Sequence, residues 1–519
     1  MRIIQTCILS LLLTGFLAFS SNAEESVADP GQPARVLSLS LQDFIQLVRE
    51  KNERIRSQHL EWAISRQAVK KEWSIFEPDF IGSCEHQYNR QRNTTEEAAS
   101  RKLFGMVPTE IYKERSNNYT AAVEGLVPTG GKVRLGYTLR DMSNTLIDAR
   151  YDDKESEFRT LLAATLTQPL LKNAGIKTTM AGIRVAEADS EMAFQEYRRQ
   201  MMRVIADAIS AYCDLYLAQE KYKVRKDSVR IAERILEDNR ERVKTGKMAE
   251  TEVLEAEAGL ALRRSLESAA KQDYISATNR ARSFFSSSAA EGEINIEITD
   301  RFEIDKLQLD FGESLTKAFK LRPEYISSRK KAEREDVRLA FARNQRWPQL
   351  DLKGSYGLNG LDLSAGSSWD DALDTDFKSW SVGVELRIPL GGGMKGRSEL
   401  QAARHRKKQA LLELKAVEVA LADTIDTAVQ NVYSAQEQAA HYRKVVDLNK
   451  RLLEVELARL DAGKSNSRLV LEKEADLNKA KEAELEALVN YKKAVLGLET
   501  AEGSLLLNHN IEVMEVVSP

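Results

Sequence analysis

Between Ile388 and Ser398 the chain reads IPLGGGMKGRS, one residue away from the glycine-rich loop that cradles nucleotide phosphates. That loop needs a lysine reaching the phosphates, and here the position is Arg397. Its glycines are better read as relief for a tight strand-to-helix junction. The five histidines, His59, His86, His405, His441 and His509, show no metal-ligand spacing. Carboxylates occur along every helical stretch, so no pair stands out as acid and base. No serine or cysteine nucleophile has a supporting base and orienting acid. Arg404-His405-Arg406-Lys407-Lys408 opens a segment of alternating charge and reads as a solvated face. The residues therefore predict no enzyme, no metal site and no cofactor. A net charge of −3 with both signs interleaved also argues against a nucleic-acid partner.

The elements around these residues are more telling than the residues. Of 519 residues, 30% are charged and 7% aromatic, with 26 Gly and 10 Pro, too few turn formers for many small elements. Ala, Glu, Leu, Lys and Arg dominate 177–288 and 395–505, as in long helices and coiled coils. Met1-Arg2, the apolar stretch Ile8 to Phe19 and Ser21-Asn22-Ala23 form a signal peptide, so the mature chain is expected to start at Glu24 outside the cytoplasm. No later run reaches the roughly 18 apolar residues of a membrane helix. Cys84 and Cys213 remain after cleavage, either as a pair or as two isolated thiols.

The chain is written twice. Leu41-x-x-Phe44-Ile45-x-x-Val48 recurs as Phe311-x-x-Ser314-Leu315-x-x-Ala318 at a shift of 270, which also brings Pro78 onto Pro348. Ala218-Gln219-Glu220 meets Ala435-Gln436-Glu437 at a shift of 217, with Tyr216 on Tyr433. At that shift RVKTGKMAETEVLEAEAGL overlies RLDAGKSNSRLVLEKEADL. Each copy predicts a helix (about 40–76, then 313–346) ending at Pro, alternating segments, a second Pro, a very long helix, and a return helix of about 40 residues. Apolar residues from Leu414 to Leu460 step by threes and fours, close to the coiled-coil spacing. A helix from Arg397 to Asp461 would extend roughly 97 Å and needs neighbours along its apolar stripe. Gly246 and Gly463 end the outgoing helices, so each marks the tip of an antiparallel hairpin. The return arm plus the separate first helix match one long helix, which predicts a rod four helices thick.

Segments 119–127, 132–140, 158–167, 349–358 and 380–388 alternate weakly, as transmembrane barrel strands do. Polar loops at 91–117, 142–156 and 359–376 would face outward. Strands in lipid cannot keep free edges, so closure by an oligomer is expected. A duplicated periplasmic coiled-coil or adaptor protein is the other reading; the alternating segments and the absence of a dense short-strand domain after the hairpin weigh against it.

In this order of parts the chain resembles the TolC-type outer membrane efflux family over nearly all of 39–508. The marks are L-x-L-x-x-x-I-x-L-V at Leu39–Val48, F-x-P at Phe76–Pro78, Pro-Leu before each long helix, A-x-x-x-x-Y-x-A-Q-E at Ala428–Glu437 and the R-x-x-x-G tips. The resemblance implies a mainly α homotrimer: an outer membrane β-barrel continuing into a periplasmic α-helical coiled-coil barrel, with internal duplication. It implies a passive duct for small molecules or proteins, docked by its tips onto a periplasmic adaptor and an inner-membrane transporter. The parts become a signal peptide 1–23, linker 24–38, first repeat 39–288 (strands about 79–168), equatorial connection 289–310, second repeat 311–508 (strands about 349–388) and tail 509–519. Gly246, Lys247, Gly463 and Lys464 would be the docking tips, with lysine where the family often has an apolar residue. The family commonly places Asp six residues after the tip Gly; here that place holds Glu252 in copy one and Leu469 in copy two. Glu255 and Glu472, three residues further on, keep a carboxylate, so Glu252, Glu255 and Glu472 are the candidate aperture acids. The added strand pair about Val127-Pro128-Thr129-Gly130-Gly131, with 79–90 counted as a strand, gives six strands per chain and a wider barrel; alternatively the extra hairpin folds outside the wall.

Overall fold

The computed structural model describes residues 35–96, 99, 111–145, 147, 156–246, 248–286, 294–305, 307–390, 393–462, 464–511 and 513. Its first part comprises β1 (Arg35–Leu39), α1 (Leu41–Lys51), α2 (Glu53–Trp73), β2 (Asp79–Arg92), β3 (Ile111–Leu126), β4 (Lys132–Asn144) and β5 (Glu157–Pro169). There follow α3 (Ala181–Lys244), α4 (Glu250–Arg282), β6 (Ile294–Ile298), α5 (Phe311–Leu321) and α6 (Pro323–Gln345). The last part holds β7 (Gln349–Asp362), α7 (Ala365–Leu373), β8 (Lys378–Arg387), α8 (Met394–Asp461) and α9 (Ser467–Glu502). Two compact units divide the chain: Met1–Lys51 with Asp214–Arg301, and Asn52–Cys213 with Phe302–Pro519.

The second unit shows how a long helix is covered. Leu339 and Ala342 of α6 pack against Leu400 and Ala403 near the start of α8. Further along, Leu421, Ile425, Val429 and Val432 of α8 pack with Tyr491, Leu498 and Ala501 of α9 and Ala318 of α5. The start of α8 is thus covered by one short helix and its remainder by another. Where they meet, Gly503 ends α9 at φ +78°, and a Cβ there would stand 2.9 Å from the Leu321 carbonyl carbon and 3.0 Å from the Arg322 nitrogen. The Arg322 guanidinium donates to the Thr500 carbonyl across the same joint.

Each first helix, expected as one piece, is two. Asn52 caps α2 by accepting from the Arg54 and Ile55 amides, at 3.0 and 3.3 Å. Pro323 opens α6, its missing N–H placed where no intrahelical partner exists. The shift of 270 superposes Asn52 on Arg322, so both copies break at one place by different chemistry. Beyond the break, α2 packs on the first half of α3 through Trp62, whose ring lies 5.0 Å from Phe194 and is stacked at 5.9 Å on Tyr197. His59 meets Tyr197 edge-on, as part of this aromatic cluster.

In the first unit, the stretch expected to be linker ends in β1, which pairs in parallel with β6. Phe44 of α1 meets Phe285 edge-on at 6.0 Å. Ion pairs Arg240–Glu257 (2.6 Å) and Arg264–Glu233 (2.9 Å) cross between the arms of the first hairpin. Their exposure makes them minor contributors beside the buried Val229, Ala232, Leu236, Ala256 and Leu260.

The remaining strands form one antiparallel six-stranded sheet in the order β2-β3-β4-β5-β7-β8. The extra hairpin β3–β4 is inside this wall, not outside it. Its Val127–Gly131 turn is tied to the strand-to-helix crossover, where the Gly175 amide donates to the Thr129 carbonyl at 3.0 Å.

Because a left-handed residue with a side chain costs roughly 1–2 kcal/mol and the Cβ would also press on backbone, Gly503→Ala should lower the thermal midpoint of the helical circular-dichroism signal by several degrees. Gly497→Ala, inside the same helix with open space about the added methyl, should not.

Candidate channel wall and hairpin tips

The sheet separates polarity by face. One rung of paired residues runs Trp380, Tyr356, Ala164, Leu135, Val123, Phe80 across all six strands. The adjacent rung, on the opposite face, runs Ser381, Ser355, Thr165, Arg134, Glu124, Asp79. The first face continues with Val382 and Val384 on β8. Trp380 and Phe80 are each 74% exposed and Val382 69%. Large apolar side chains laid bare across all six strands are expected where lipid, not water, is the solvent. Towards the end opposite the helices the same face turns polar, with His86, Asn117 and Asp141 hydrogen-bonded in one rung. The opposite face carries Arg140–Glu114 at 2.8 Å, Arg387–Glu385 at 2.9 Å and a Lys353–Glu385 pair, with Ser355 and Ser381 hydroxyls 2.8 Å apart. Such a face suits a water-filled lumen.

Among the described residues both edges of the sheet are open. Six antiparallel strands make β2 and β8 run in opposite directions, so β8 of one copy can continue onto β2 of another without breaking the antiparallel pattern. Cys84 is an exposed free thiol on β2, whereas Cys213 is buried in α3.

The hairpin tips lie at the ends of α3 and α8. Gly246 follows the last turn of α3 at φ +70°, its amide donating to the Val243 carbonyl at 2.9 Å. Lys247 and Gly463 lie outside the described residues. Lys464 is exposed, and its amide closes the second tip on the Arg459 carbonyl at 2.8 Å. Glu252 stands in the first turn of α4, where the helix dipole favours a negative charge. One of its oxygens, Oε2, is buried and has no hydrogen-bond partner among the described residues. Glu255 and Glu472 are exposed, and Leu469 is half-buried in the first turn of α9. Beside Glu472, a hydrogen bond to Asp476 at 3.1 Å raises the Lys473 ammonium above its ordinary pKa, with Glu472 and Glu456 adding to the field.

Two pairs of positions that the sequence analysis did not single out for a role hold these parts. The repeated Gln219 and Gln436 clamp backbone: Gln219 accepts from the Ile298 amide at 3.0 Å and donates to its carbonyl at 3.2 Å, while Gln436 donates to the Asp305 carbonyl at 3.4 Å. Tyr433 both donates to and accepts from Leu309 backbone, at 2.7 and 3.0 Å, and Tyr491 donates to the Asp305 carbonyl at 2.6 Å. These repeats were visible, but not what they grip. Asn239 and Glu456, related by the shift of 217, are both buried near the tips. Asn239 donates to the Glu252 carbonyl at 3.2 Å, and Glu456 accepts from Ser465 and from Arg459 at 3.1 Å. Different residue types hid that equivalence from the sequence.

An antiparallel wall with one apolar and one polar face suits a membrane-embedded pore. The model of the family described as "Outer membrane efflux protein" matches residues 160–284 and 326–504, more than half of the chain, which belongs to that family. It is an outer membrane efflux or secretion channel. None of the curated protein sequences matches it. Its fold is similar to that of the Campylobacter jejuni CmeC outer membrane channel, at 16% identity over 90% of this chain and 86% of that one, TM-score 0.59. The Neisseria gonorrhoeae MtrE outer membrane channel, solved in an open state, is similar at 14% identity over 92% and 95%, TM-score 0.58. The Vibrio cholerae outer membrane protein VceC is similar at 14% identity over 89% and 96%, TM-score 0.56.

Removing the buried Glu456 acceptor strips Ser465 and Arg459 of their partner, a loss on the order of 1–2 kcal/mol. Glu456→Ala should therefore speed amide exchange across 464–468 roughly tenfold, leaving 244–250 unchanged; Glu456→Gln, which keeps an acceptor, should restore most of the protection.

Proposed function

We propose that three copies of this chain close one barrel of eighteen strands, six from each copy, and that the hairpins continue it as a periplasmic duct. The observation that carries this reading is the pair of adjacent rungs, one wholly apolar and one wholly polar, ending at two open edges of opposite direction. Each unpaired backbone group at such an edge would cost several kcal/mol in lipid, so the edges must find strands. An even number of strands per copy lets identical copies join head to tail with antiparallel pairing at every junction. A barrel of that size leaves an aqueous lumen.

On this reading the chain is exported with removal of residues 1–23, and the duct is passive. Cargo, small molecules or proteins, is driven by an inner-membrane transporter through a periplasmic adaptor. The tips about Gly246-Lys247 and Gly463-Lys464 meet the adaptor, where the two lysines select an acidic or polar docking surface. Glu252, Glu255 and Glu472 contribute carboxylates to an aperture inside the tips. The exposure of Glu255 and Glu472 close to the tips supports this role, since only a carboxylate open to solvent can face an aperture.

Planar-bilayer conductance of the purified protein, wild type beside Glu252→Ala/Glu472→Ala, tests this reading. Stable single-channel steps that grow in the double variant are expected. Unchanged steps would remove the aperture assignment and keep the duct. No steps from folded oligomer would overturn the duct itself.

A further inference from the structure

The connection between β7 and β8, expected as a polar outward loop, contains α7, and that helix is clamped to the sheet. Ser368 Oγ lies 2.8 Å from Thr160 Oγ1 and 3.3 Å from the Gly360 carbonyl oxygen. Only glycine leaves room for it: a Cβ on residue 360 would stand 1.9 Å from the Ser368 carbonyl oxygen and 2.7 Å from the Ala372 nitrogen. Trp369 meets the Tyr137 ring edge-on at 5.0 Å, and the Leu361 amide donates to the Asp371 carboxylate at 2.9 Å.

The face on which α7 sits decides what it meets. Leu139, Thr160 and Gly360 form one rung, and Tyr137, Leu162 and Leu358 form the next on the same side. That side is the apolar one, and Gly360 lies two same-face positions beyond Tyr356 towards the end of the sheet opposite the helices. The helix buries Ser368 and Ala372 against the strands. It leaves Trp369 and Leu373 exposed one turn apart, with Leu363 and Phe377 exposed where the connection leaves and rejoins the wall. Asp370, Asp374 and Asp376 are exposed beside them. A loop serving only solvent has no use for four bare apolar side chains, whereas a helix at a lipid–water boundary requires that mixture.

We propose that α7 is a lipid-contact helix. It lies in the outer boundary of the bilayer, continues the apolar face of the barrel wall, and sets Trp369 and Leu373 against outer-leaflet lipid with its carboxylates towards the headgroups and water. Its position anchors the level of the barrel, as interfacial tryptophans do. The proposal rests on the reading of the apolar face as lipid-facing, and its test separates the two.

In a Cys84→Ser/Cys213→Ser background, a nitroxide is attached at Leu373→Cys, Val384→Cys or Ser381→Cys. The protein is then reconstituted into phosphatidylethanolamine–phosphatidylglycerol vesicles. Collision with dissolved oxygen should exceed collision with a water-soluble nickel chelate at positions 373 and 384, with the reverse order at 381. Nickel preference at 373 with oxygen preference at 384 would overturn the lipid-contact helix alone. Nickel preference at both would overturn the lipid-facing wall with it.

Discussion

Everything in this molecule follows from the peptide groups at the edges of its sheet. In water an open edge is a hazard of aggregation; in lipid it is close to forbidden, because nothing there replaces the missing hydrogen bonds. One chain supplies six strands, with β2 and β8 left unpaired at the two sides. On the proposed reading the apolar face commits the sheet to lipid, and lipid commits the edges to other copies. The proposed oligomer then answers a requirement of the backbone, not an embellishment of the surface.

The helices answer a related problem of length. A helix of 64 or 68 residues cannot stand alone in water, so each must be clothed along its whole apolar stripe. In the second unit α6 and α9 do this for α8, meeting at Gly503 and Arg322. The joint demands a left-handed residue without a side chain, and the neighbouring guanidinium takes the Thr500 carbonyl near the end of α9. Polar side chains then hold the ends and connections: buried Glu456 near the tip of the second hairpin, buried Asn239 near that of the first, and the repeated Gln219 and Gln436 on the connecting backbone.

Much of this was legible beforehand, for identifiable reasons. The duplication, the hairpins and the strand positions follow from periodicity, which hydrophobic burial imposes directly on residue type. Six strands could be counted, but whether the added hairpin joined the wall depended on pairing partners, which leave little local mark. Breaks at Asn52 and Pro323 were missed because helical periodicity continues across them. The equivalence of Asn239 and Glu456 was invisible because one position holds a donating amide and the other an accepting carboxylate. An amphipathic helix in the β7–β8 connection passed for loop, since Gly, Ser and Asp dominate its sequence and only its seat on Gly360 shows which way it faces. As for the tip carboxylates, the sequence marks their places, while their role depends on copies of the chain meeting one another.

The most direct measurement is disulfide trapping between the two open edges. In the Cys84→Ser/Cys213→Ser background, Ser83→Cys on β2 would be combined in turn with Ser379→Cys, Ser381→Cys or Gly383→Cys on β8, and the membrane-inserted protein oxidised. The account predicts that one register yields covalent dimers and trimers and that the ladder stops at three. A covalent bond formed only within single chains, or no bond in any register from folded protein, would contradict closure of the barrel by three copies.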